Sequence, residues 1–192
     1  MNHPSPPQPA DLPPGYPAGL ERAWQAADGT TIRLRALRPD DLDREMAFIA
    51  GLSEETLYQR LQYSSREVNR QDAARLLVLD YRDRMAIGAL VGAGDDEAII
   101  GVSRYARIDD TDQAECAIVV TDAWHGRGIG TELMRSLAQA ARANGIRGLV
   151  GSSLAENQRI HAWARRFGFD VRTEPNSGGA VRITVDLGTL PS

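Results

Sequence analysis

Three glycines at alternate positions from residue 126 to residue 130 constrain the fold more than any other feature, because they separate a predicted strand from a predicted helix. Residues 118–120 are consecutive β-branched side chains, which favour a buried strand. From residue 129 to residue 141 an apolar side chain recurs at every fourth position, which is typical of an amphipathic helix, and Asn144-Gly145 is a helix stop signal. The stretch therefore predicts a strand, a glycine loop and a helix, in that order.

Such a loop is suited to binding phosphate. Glycine lets the backbone turn tightly and approach a ligand, and the first helical N–H groups have no partner within the helix. With the positive end of the helix dipole and with Arg127 beside them, these amides form an anion site. A tight connection without a ligand is the alternative. A P-loop is excluded because the chain contains no lysine, and the G-x-G-x-G spacing fits a dinucleotide fingerprint poorly.

The loop resembles the Q/R-x-x-G-x-G/A signature of the GNAT superfamily of N-acetyltransferases, with His125 where the family usually has Gln or Arg. The resemblance implies that the loop amides hold the pyrophosphate of acetyl-CoA and that the pantetheine arm pairs with the central strand. It also implies a cofactor contact for Asn157, which is equally suited to capping a helix. The implied cofactor-binding residues are Ile118, Val119, Val120, His125, Gly126, Arg127, Gly128, Ile129, Gly130, Thr131 and Asn157.

Patterns elsewhere predict one strand, two or three helices, three antiparallel strands, and then α, β, α, β, β. This is a mixed α/β (α+β) fold: a mostly antiparallel sheet of about seven strands with helices on both faces, as the GNAT resemblance implies. Residues 1–19 contain seven of the ten prolines. We therefore expect a disordered tail over residues 1–20 and an acetyltransferase domain over residues 21–192.

Composition limits the class of protein. A chain of 192 residues suits one domain with its own core. The single cysteine, Cys116, cannot form an internal disulfide, and the three histidines lack metal-ligand spacing, so we expect a reducing compartment and no metal. A net charge of −4 gives no support for nucleic-acid binding. No run approaches the ~18 apolar residues of a membrane helix, and we expect a cytoplasmic protein without membrane contact.

Two further segments narrow the resemblance. Residues 32–41, IRLRALRPDD, and residues 52–61, LSEETLYQRL, resemble the opening of the acetyltransferase domain in Pat-type protein lysine acetyltransferases. In that group the domain is commonly fused to a cyclic-nucleotide-binding or acyl-CoA-synthetase-like module. This chain has room only for the catalytic domain and its tail, so we do not expect nucleotide regulation to carry over.

Acetyl transfer to an amine needs a cofactor cradle, a base and stabilisation of the carbonyl oxygen. Glu115 lies in the otherwise apolar segment 114–120, where a carboxylate must face solvent, form an ion pair or have a function. The run Ala-Glu-x-Ala-x-Val-Val from residue 114 matches the Pat-type strand, so the resemblance implies that Glu115 is the general base. The family's proton-donating tyrosine is replaced by Ala164, and His161 is a weak substitute that fits a packing or surface role better.

Three functions fit these observations. The first is acetylation of a protein lysine side chain, for example on an acyl-CoA synthetase, and the second is acetylation of a small amine or amino acid. The third is a non-catalytic module that senses acetyl-CoA, against which Glu115 argues. The sequence leaves the acceptor and the oligomeric state open.

Overall fold

One mixed sheet organises the fold in the computed structural model, which describes residues 12–26, 28–61, 69–173 and 179–190. Within these residues the strands are β1 (Arg22–Gln25), β2 (Thr31–Ala36), β3 (Arg84–Val91), β4 (Ala98–Arg107), β5 (Gln113–Val120), β6 (Gly148–Leu154), β7 (Asp170–Thr173) and β8 (Ala180–Asp186). The α-helices are α1 (Leu42–Ala50), α2 (Glu54–Leu61), α3 (Arg70–Leu76), α4 (Ile129–Ala143) and α5 (Gln158–Phe167). The strand order across the sheet is β1-β2-β3-β4-β5-β6-β8-β7.

Helices cover both faces of this sheet, as predicted. On one face α1 and α3 pack over a small cluster that includes Phe48, Leu77 and Val102. On the other face α4 supplies Leu133 and Leu137 to the main core. The apolar spacing that predicted α4 is therefore the spacing that places one side of the helix against the sheet.

The sheet has eight strands in the described residues, rather than about seven. The strand missed from the sequence is β1, an edge strand in which only Trp24 is even half-buried. An exposed edge strand needs no alternation of apolar and polar residues, so its sequence carries no periodic signal. It pairs antiparallel with β2 through the turn at Asp28-Gly29.

Residues 12–20, on the N-terminal side of the predicted domain boundary at residue 21, contact the sheet and the main core. The Tyr16 hydroxyl donates a hydrogen bond to the Ala36 carbonyl (3.2 Å), and the Tyr16 ring meets Tyr81 edge to face with centroids 5.4 Å apart. Leu20 also packs against the main core. The sequence Asn-Ser-Gly-Gly over residues 176–179 predicts a hairpin turn between the last two strands. Residues 176–178 of this turn and residues 1–11 of the predicted tail lie outside the described residues.

A buried ion-pair network explains part of the segment that resembles the Pat-type opening. Arg35 is 2% exposed and makes two hydrogen bonds of 2.7 Å to the carboxylate of Asp41, which is fully buried. Arg35 also lies 3.3 Å from Glu97, at the start of β4. Burial raises the pKa of Asp41, but the hydrogen bonds and charge of Arg35 outweigh it and hold that pKa below its ordinary value. These residues hold β2, the start of α1 and the start of β4 together.

The sheet opens between β5 and β6, the one parallel pair among the described strands. Their pairing covers only Gln113–Glu115 on β5 and 148–150 on β6. β5 remains paired with β4 as far as Val120, and β6 remains paired with β8 as far as Leu154. Residues 117–120 of β5 therefore have one edge that is not paired with β6, and the two strands border a wedge whose apex is near Glu115.

Candidate active site

A cavity of about 700 Å³ occupies this wedge. Its walls are β5 from Glu115 to Val120, residues 151–153 of β6, the glycine loop and the first turns of α5. Gly151 lies near the apex, where a Cβ would stand 3.3 Å from the Cys116 carbonyl oxygen, so a side chain would crowd the narrow end. All the predicted cofactor-binding residues except Arg127 line this one cavity.

The glycine loop presents unpaired amides to the cavity. Gly126 and Gly128 have φ angles of +76° and +87°, which L side chains rarely adopt. Gly128 caps α4, and its carbonyl accepts the N–H groups of Thr131 (3.0 Å) and Glu132 (3.1 Å). Within the described chain, the amides of residues 126–130 have no backbone acceptor. This is the geometry of an anion site at a helix N-terminus.

Arg127 lies outside this site in the structure, although it stands between two of the loop glycines. Its guanidinium forms an ion pair with Asp28, in the β1–β2 turn, and lies over the ring of Trp124 at 4.6 Å from the centroid. Trp24 of the same hairpin lies 3.4 Å from where a Cβ on Gly128 would be. The hairpin thus supports the loop from behind, and the predicted contact of Arg127 with the cofactor stays a prediction.

Arg159, which sequence reasoning missed, lines the cavity from the first turn of α5. It donates a hydrogen bond to His125 Nδ1 (2.8 Å), while His125 Nε2 lies 2.7 Å from the Val120 carbonyl oxygen. A guanidinium can only donate and a carbonyl can only accept, so these two contacts fit a ring that donates from Nε2 and accepts at Nδ1. His125 therefore links Arg159 to the end of β5.

Two other predicted residues have structural partners as well as places in the cavity wall. Asn157 caps α5, because its Oδ1 accepts the N–H of Ile160 (3.1 Å), and this leaves its amide N–H₂ available to a ligand. Thr131 Oγ1 accepts a hydrogen bond from Trp163 Nε1 (3.2 Å), which connects α4 to α5. Both interpretations of Asn157, as cap and as ligand-binding residue, therefore fit the structure.

The side chains of β5 pack alternately against the main core and against the smaller cluster around Phe48. The wedge therefore exposes the backbone of β5. Ile118 and Val120 pack against the main core, and Val119 packs against the smaller cluster around Phe48. The unpaired edge of residues 117–120 offers N–H and C=O groups to an extended ligand, as an edge strand does. The structure thus provides the strand edge that the resemblance implied for the pantetheine arm.

Glu115 stands at the apex and is exposed to the cavity. It is the last residue of β5 that pairs with β6. Its carboxylate makes no hydrogen bond or ion pair with the described residues. Of the two structural alternatives, a solvent-facing carboxylate and an ion-paired one, the structure therefore shows the solvent-facing carboxylate. An unpaired carboxylate beside a strand edge is available to accept a proton.

Asp122 accepts hydrogen bonds from the N-terminal end of α2 beside the cavity. Its Oδ1 accepts a hydrogen bond from the Thr56 hydroxyl (3.0 Å), and Thr56 itself lines the cavity. Partial burial raises the pKa of Asp122, but hydrogen bonds from Ser53 and Thr56 outweigh this and lower it below its ordinary value. Asp122 is therefore ionised at neutral pH, and its charge strengthens both hydrogen bonds.

His161 and Ala164 are packing residues in this structure. Ala164 is fully buried, and His161 is 3% exposed with its Nε2 2.8 Å from Ser153 Oγ. Burial, with a smaller contribution from the charge of Arg165, lowers the pKa of His161 and keeps the ring neutral. Since His161 does not line the cavity, the packing alternative fits it better than a role as proton donor.

Residues 48–169 match the sequence profile of the family described as Acetyltransferase (GNAT) family. This chain is a GNAT acetyltransferase. The match spans most of the chain and includes the glycine loop, β5 and α5, which are the elements around the cavity. Membership makes the protein an acyltransferase enzyme with acetyl-CoA as its acyl donor.

Similar proteins agree with this assignment. The GNAT acetyltransferase is 32% identical over 154 residues to Acetyltransferase PA5475 of Pseudomonas aeruginosa, covering 80% of this chain and 83% of that protein. It is 31% identical over 167 residues to Acetyltransferase Pat of Mycolicibacterium smegmatis, covering 86% of this chain but only 46% of the relative. The chain thus spans less than half of that Pat.

A solved structure confirms the fold. The crystal structure of the GNAT domain of S. lividans PAT superposes on this GNAT acetyltransferase with a TM-score of 0.82 at 30% identity, covering 89% of this chain and 99% of that domain. No group of three or more His, Cys, Asp or Glu side chains in the described residues could hold a metal ion. None of the described helices has the length and apolar character that crossing a membrane requires.

Proposed function

We propose that this enzyme acetylates lysine side chains of proteins, with Glu115 as the general base. The observation that carries the proposal is the position of Glu115, unpaired at the apex of the wedge and beside the free edge of β5. The identity to Acetyltransferase Pat and the likeness to the GNAT domain of PAT favour a protein acceptor over a small amine. An acyl-CoA synthetase in the cytoplasm is the kind of acceptor that we propose.

The residues present fit acetyl-CoA. Within the described chain, the amides of residues 126–130 and the edge of β5 at residues 117–120 have hydrogen-bonding groups that a ligand can pair with. Two glycines with positive φ give the loop the shape that lets its backbone approach a ligand. The loop amides and Arg159 would hold the diphosphate, and the edge of β5 with Asn157 would hold the pantetheine arm. When bound, acetyl-CoA supplies the activated acetyl thioester.

The chemistry required of the protein follows from these positions. An acceptor lysine is an ammonium ion at neutral pH, and it becomes a nucleophile only when its proton is removed. Glu115 accepts that proton, directly or through a water molecule. Backbone N–H groups on the free edge of β5 would stabilise negative charge on an oxygen held there. With Ala164 in place of a proton donor, the leaving thiolate departs without a side-chain acid at that position, and the proton that Glu115 removed returns through solvent, which can protonate the thiolate.

Replacing Glu115 by glutamine tests the base. The amide cannot accept the proton, so we expect kcat to fall by about 10²–10⁴-fold. Isothermal titration calorimetry should give an unchanged dissociation constant for acetyl-CoA, because the loop and the strand edge remain. Glu21→Gln is the matched control, since Glu21 is an exposed carboxylate that does not line the cavity, and it should leave both quantities unchanged. A Glu115→Gln enzyme with full kcat would refute the assignment.

The acceptor is tested separately with labelled acetyl-CoA. Purified acyl-CoA synthetases and a panel of small amines are incubated with the enzyme, and label transfer is measured for each. Label on a synthetase lysine supports the proposal. Transfer only to the small amines would favour the second function that the sequence left open.

A further inference from the structure

A row of three side chains crosses the sheet at the end where Glu115 lies. Arg84 on β3 pairs with Ala106 on β4, and Ala106 pairs with Glu115 on β5. Directly paired residues in a sheet project from the same face. All three line the cavity, and the small side chain of Ala106 leaves the space between Arg84 and Glu115 open.

A second arginine on this face is already neutralised. Arg104 is a diagonal neighbour of Arg84 and also lines the cavity. Its guanidinium donates to the carboxylate of Glu45 (2.5 Å), which is 1% exposed, and to the carbonyl oxygen of Leu76 (3.0 Å). The charge of Arg104 is therefore matched inside the protein.

The charge of Arg84 is not matched in this way. Its side chain is exposed and makes no hydrogen bond or ion pair within the described residues. Burial raises the pKa of Asp80, but hydrogen bonds from backbone N–H groups, with a smaller contribution from the nearby charge of Arg84, lower it below its ordinary value. Asp80 Oδ1 is occupied by three of these N–H groups, and Asp83 is paired with Arg107 (2.6 Å). The side chain of Arg84 thus lines the cavity without a hydrogen-bonded carboxylate among the described residues.

We propose that Arg84 binds a carboxylate of the acceptor, so that the preferred amine carries a negative charge close by. This rests on the proposed function, in which Glu115 receives the ammonium group. Strands lie about 4.8 Å apart, so Arg84 and Glu115 are separated by about 10 Å at their backbones, near the ~8 Å Debye length in physiological salt. A bare ammonium is repelled by Arg84 as it approaches Glu115. An acceptor that carries both an ammonium group and a carboxylate can pair with Glu115 and Arg84 at the same time.

Two sources could supply this carboxylate: an acidic residue beside the target lysine, or the carboxylate of a free amino acid. The experiment measures kcat and KM for a lysine peptide flanked by glutamates and for the same peptide flanked by glutamines or by arginines. In parallel it compares a free amino acid with its carboxamide. The enzymes are the wild type, Arg84→Gln, Arg84→Glu and the control Arg82→Gln, in which an exposed arginine that does not line the cavity loses the same charge.

We expect wild type to prefer the carboxylate-bearing acceptor in at least one pair by about tenfold in kcat/KM, mostly through KM. Arg84→Gln should abolish this preference, Arg84→Glu should reverse it towards arginine-flanked peptides, and Arg82→Gln should retain it. The pair that shows the preference identifies the source of the carboxylate. Circular dichroism checks that each variant is folded. We expect all of them to fold, because the side chain of Arg84 is exposed.

Equal preference ratios in wild type and Arg84→Gln would overturn the proposal while leaving Glu115 as the base. A uniform fall in kcat for every acceptor, with KM unchanged, would also overturn it, because Arg84 would then act only by positioning Glu115. Failure to acetylate any of the amines would refute the proposed function itself, and the proposal with it.

Discussion

At the scale of single residues, two arginines near the glycine loop have different partners. Arg127 is adjacent to the loop glycines in the chain, but its side chain pairs with Asp28 and Trp124 behind the loop. Arg159 is 34 residues from His125 in sequence, yet the two are hydrogen-bonded at the cavity wall. Proximity along the chain places a Cα atom near a site, whereas the direction of a long side chain depends on which partners the fold brings to it.

The different partners of the two arginines lead to a prediction for cofactor affinity. Arg159→Gln should weaken acetyl-CoA binding by about tenfold, or ~1.4 kcal/mol, because a cation that can reach the diphosphate is lost. Arg127→Gln should change the affinity by less than about twofold, since its charge is already paired. Calorimetric titrations at low and high salt measure both. If Arg127→Gln were the more damaging variant, Arg127 would have to leave Asp28 when acetyl-CoA binds.

At the scale of elements, the loop before α4 depends on the β1–β2 hairpin. Gly128 has a φ of +87°, and a Cβ at this position would lie 3.4 Å from Trp24, so both the backbone conformation and the nearby hairpin favour glycine here. Gly145, just past the end of α4, has a similar φ of +75° with nothing within 4 Å of a Cβ position. The two glycines share a backbone requirement, but only Gly128 belongs to the cavity wall.

We therefore expect Gly128→Ala and Gly145→Ala to lower the free energy of unfolding by similar amounts, about 1–2 kcal/mol, through the cost of left-handed backbone. Gly128→Ala should in addition raise the dissociation constant for acetyl-CoA by more than tenfold, because the amides it orients would shift. Urea unfolding and calorimetry separate the two effects. Unchanged acetyl-CoA affinity in Gly128→Ala would show that the loop amides are not the binding groups.

At the scale of the whole molecule, the wedge requires a sheet that stays rigid although β5 and β6 share only three residue pairs. The network of Arg35, Asp41 and Glu97 provides rigidity on the side of β2 and β4, away from the cavity. Breaking one partner of such a pair leaves a buried charge uncompensated. The network therefore affects stability without touching the chemistry.

Asp41→Asn should lower the free energy of unfolding at pH 7 by about 3–5 kcal/mol. Asp41 has a lowered pKa in the folded state, so its contribution is present above the unfolded value of about 3.9 and is lost as the pH falls through the folded pKa. The difference between wild type and Asp41→Asn in urea unfolding should accordingly shrink towards pH 3. Asp43→Asn is the control, because the 2.6 Å pair of Asp43 with Arg70 is on the surface and contributes less than about 1 kcal/mol. A constant difference across this pH range would contradict the prediction.

The sequence by itself determined the order of the elements and the glycine loop. Apolar periodicity and turn residues are local signals, so β2 and α4 follow their patterns closely. It did not reveal β1, whose exposed residues carry no such signal. The GNAT resemblance further placed Glu115, Asn157 and the β5 residues in one site, and the structure brings them to one cavity wall.

Only the tertiary structure decided where that site opens and what its charged groups face. The wedge exists because β5 pairs fully with β4 but only briefly with β6, and strand register depends on contacts between residues far apart in the chain. Contacts between distant parts of the chain also pair Arg127 with Asp28 and align Arg84 with Glu115 across Ala106. Local patterns specify which elements form, and long-range pairing specifies which side chains meet.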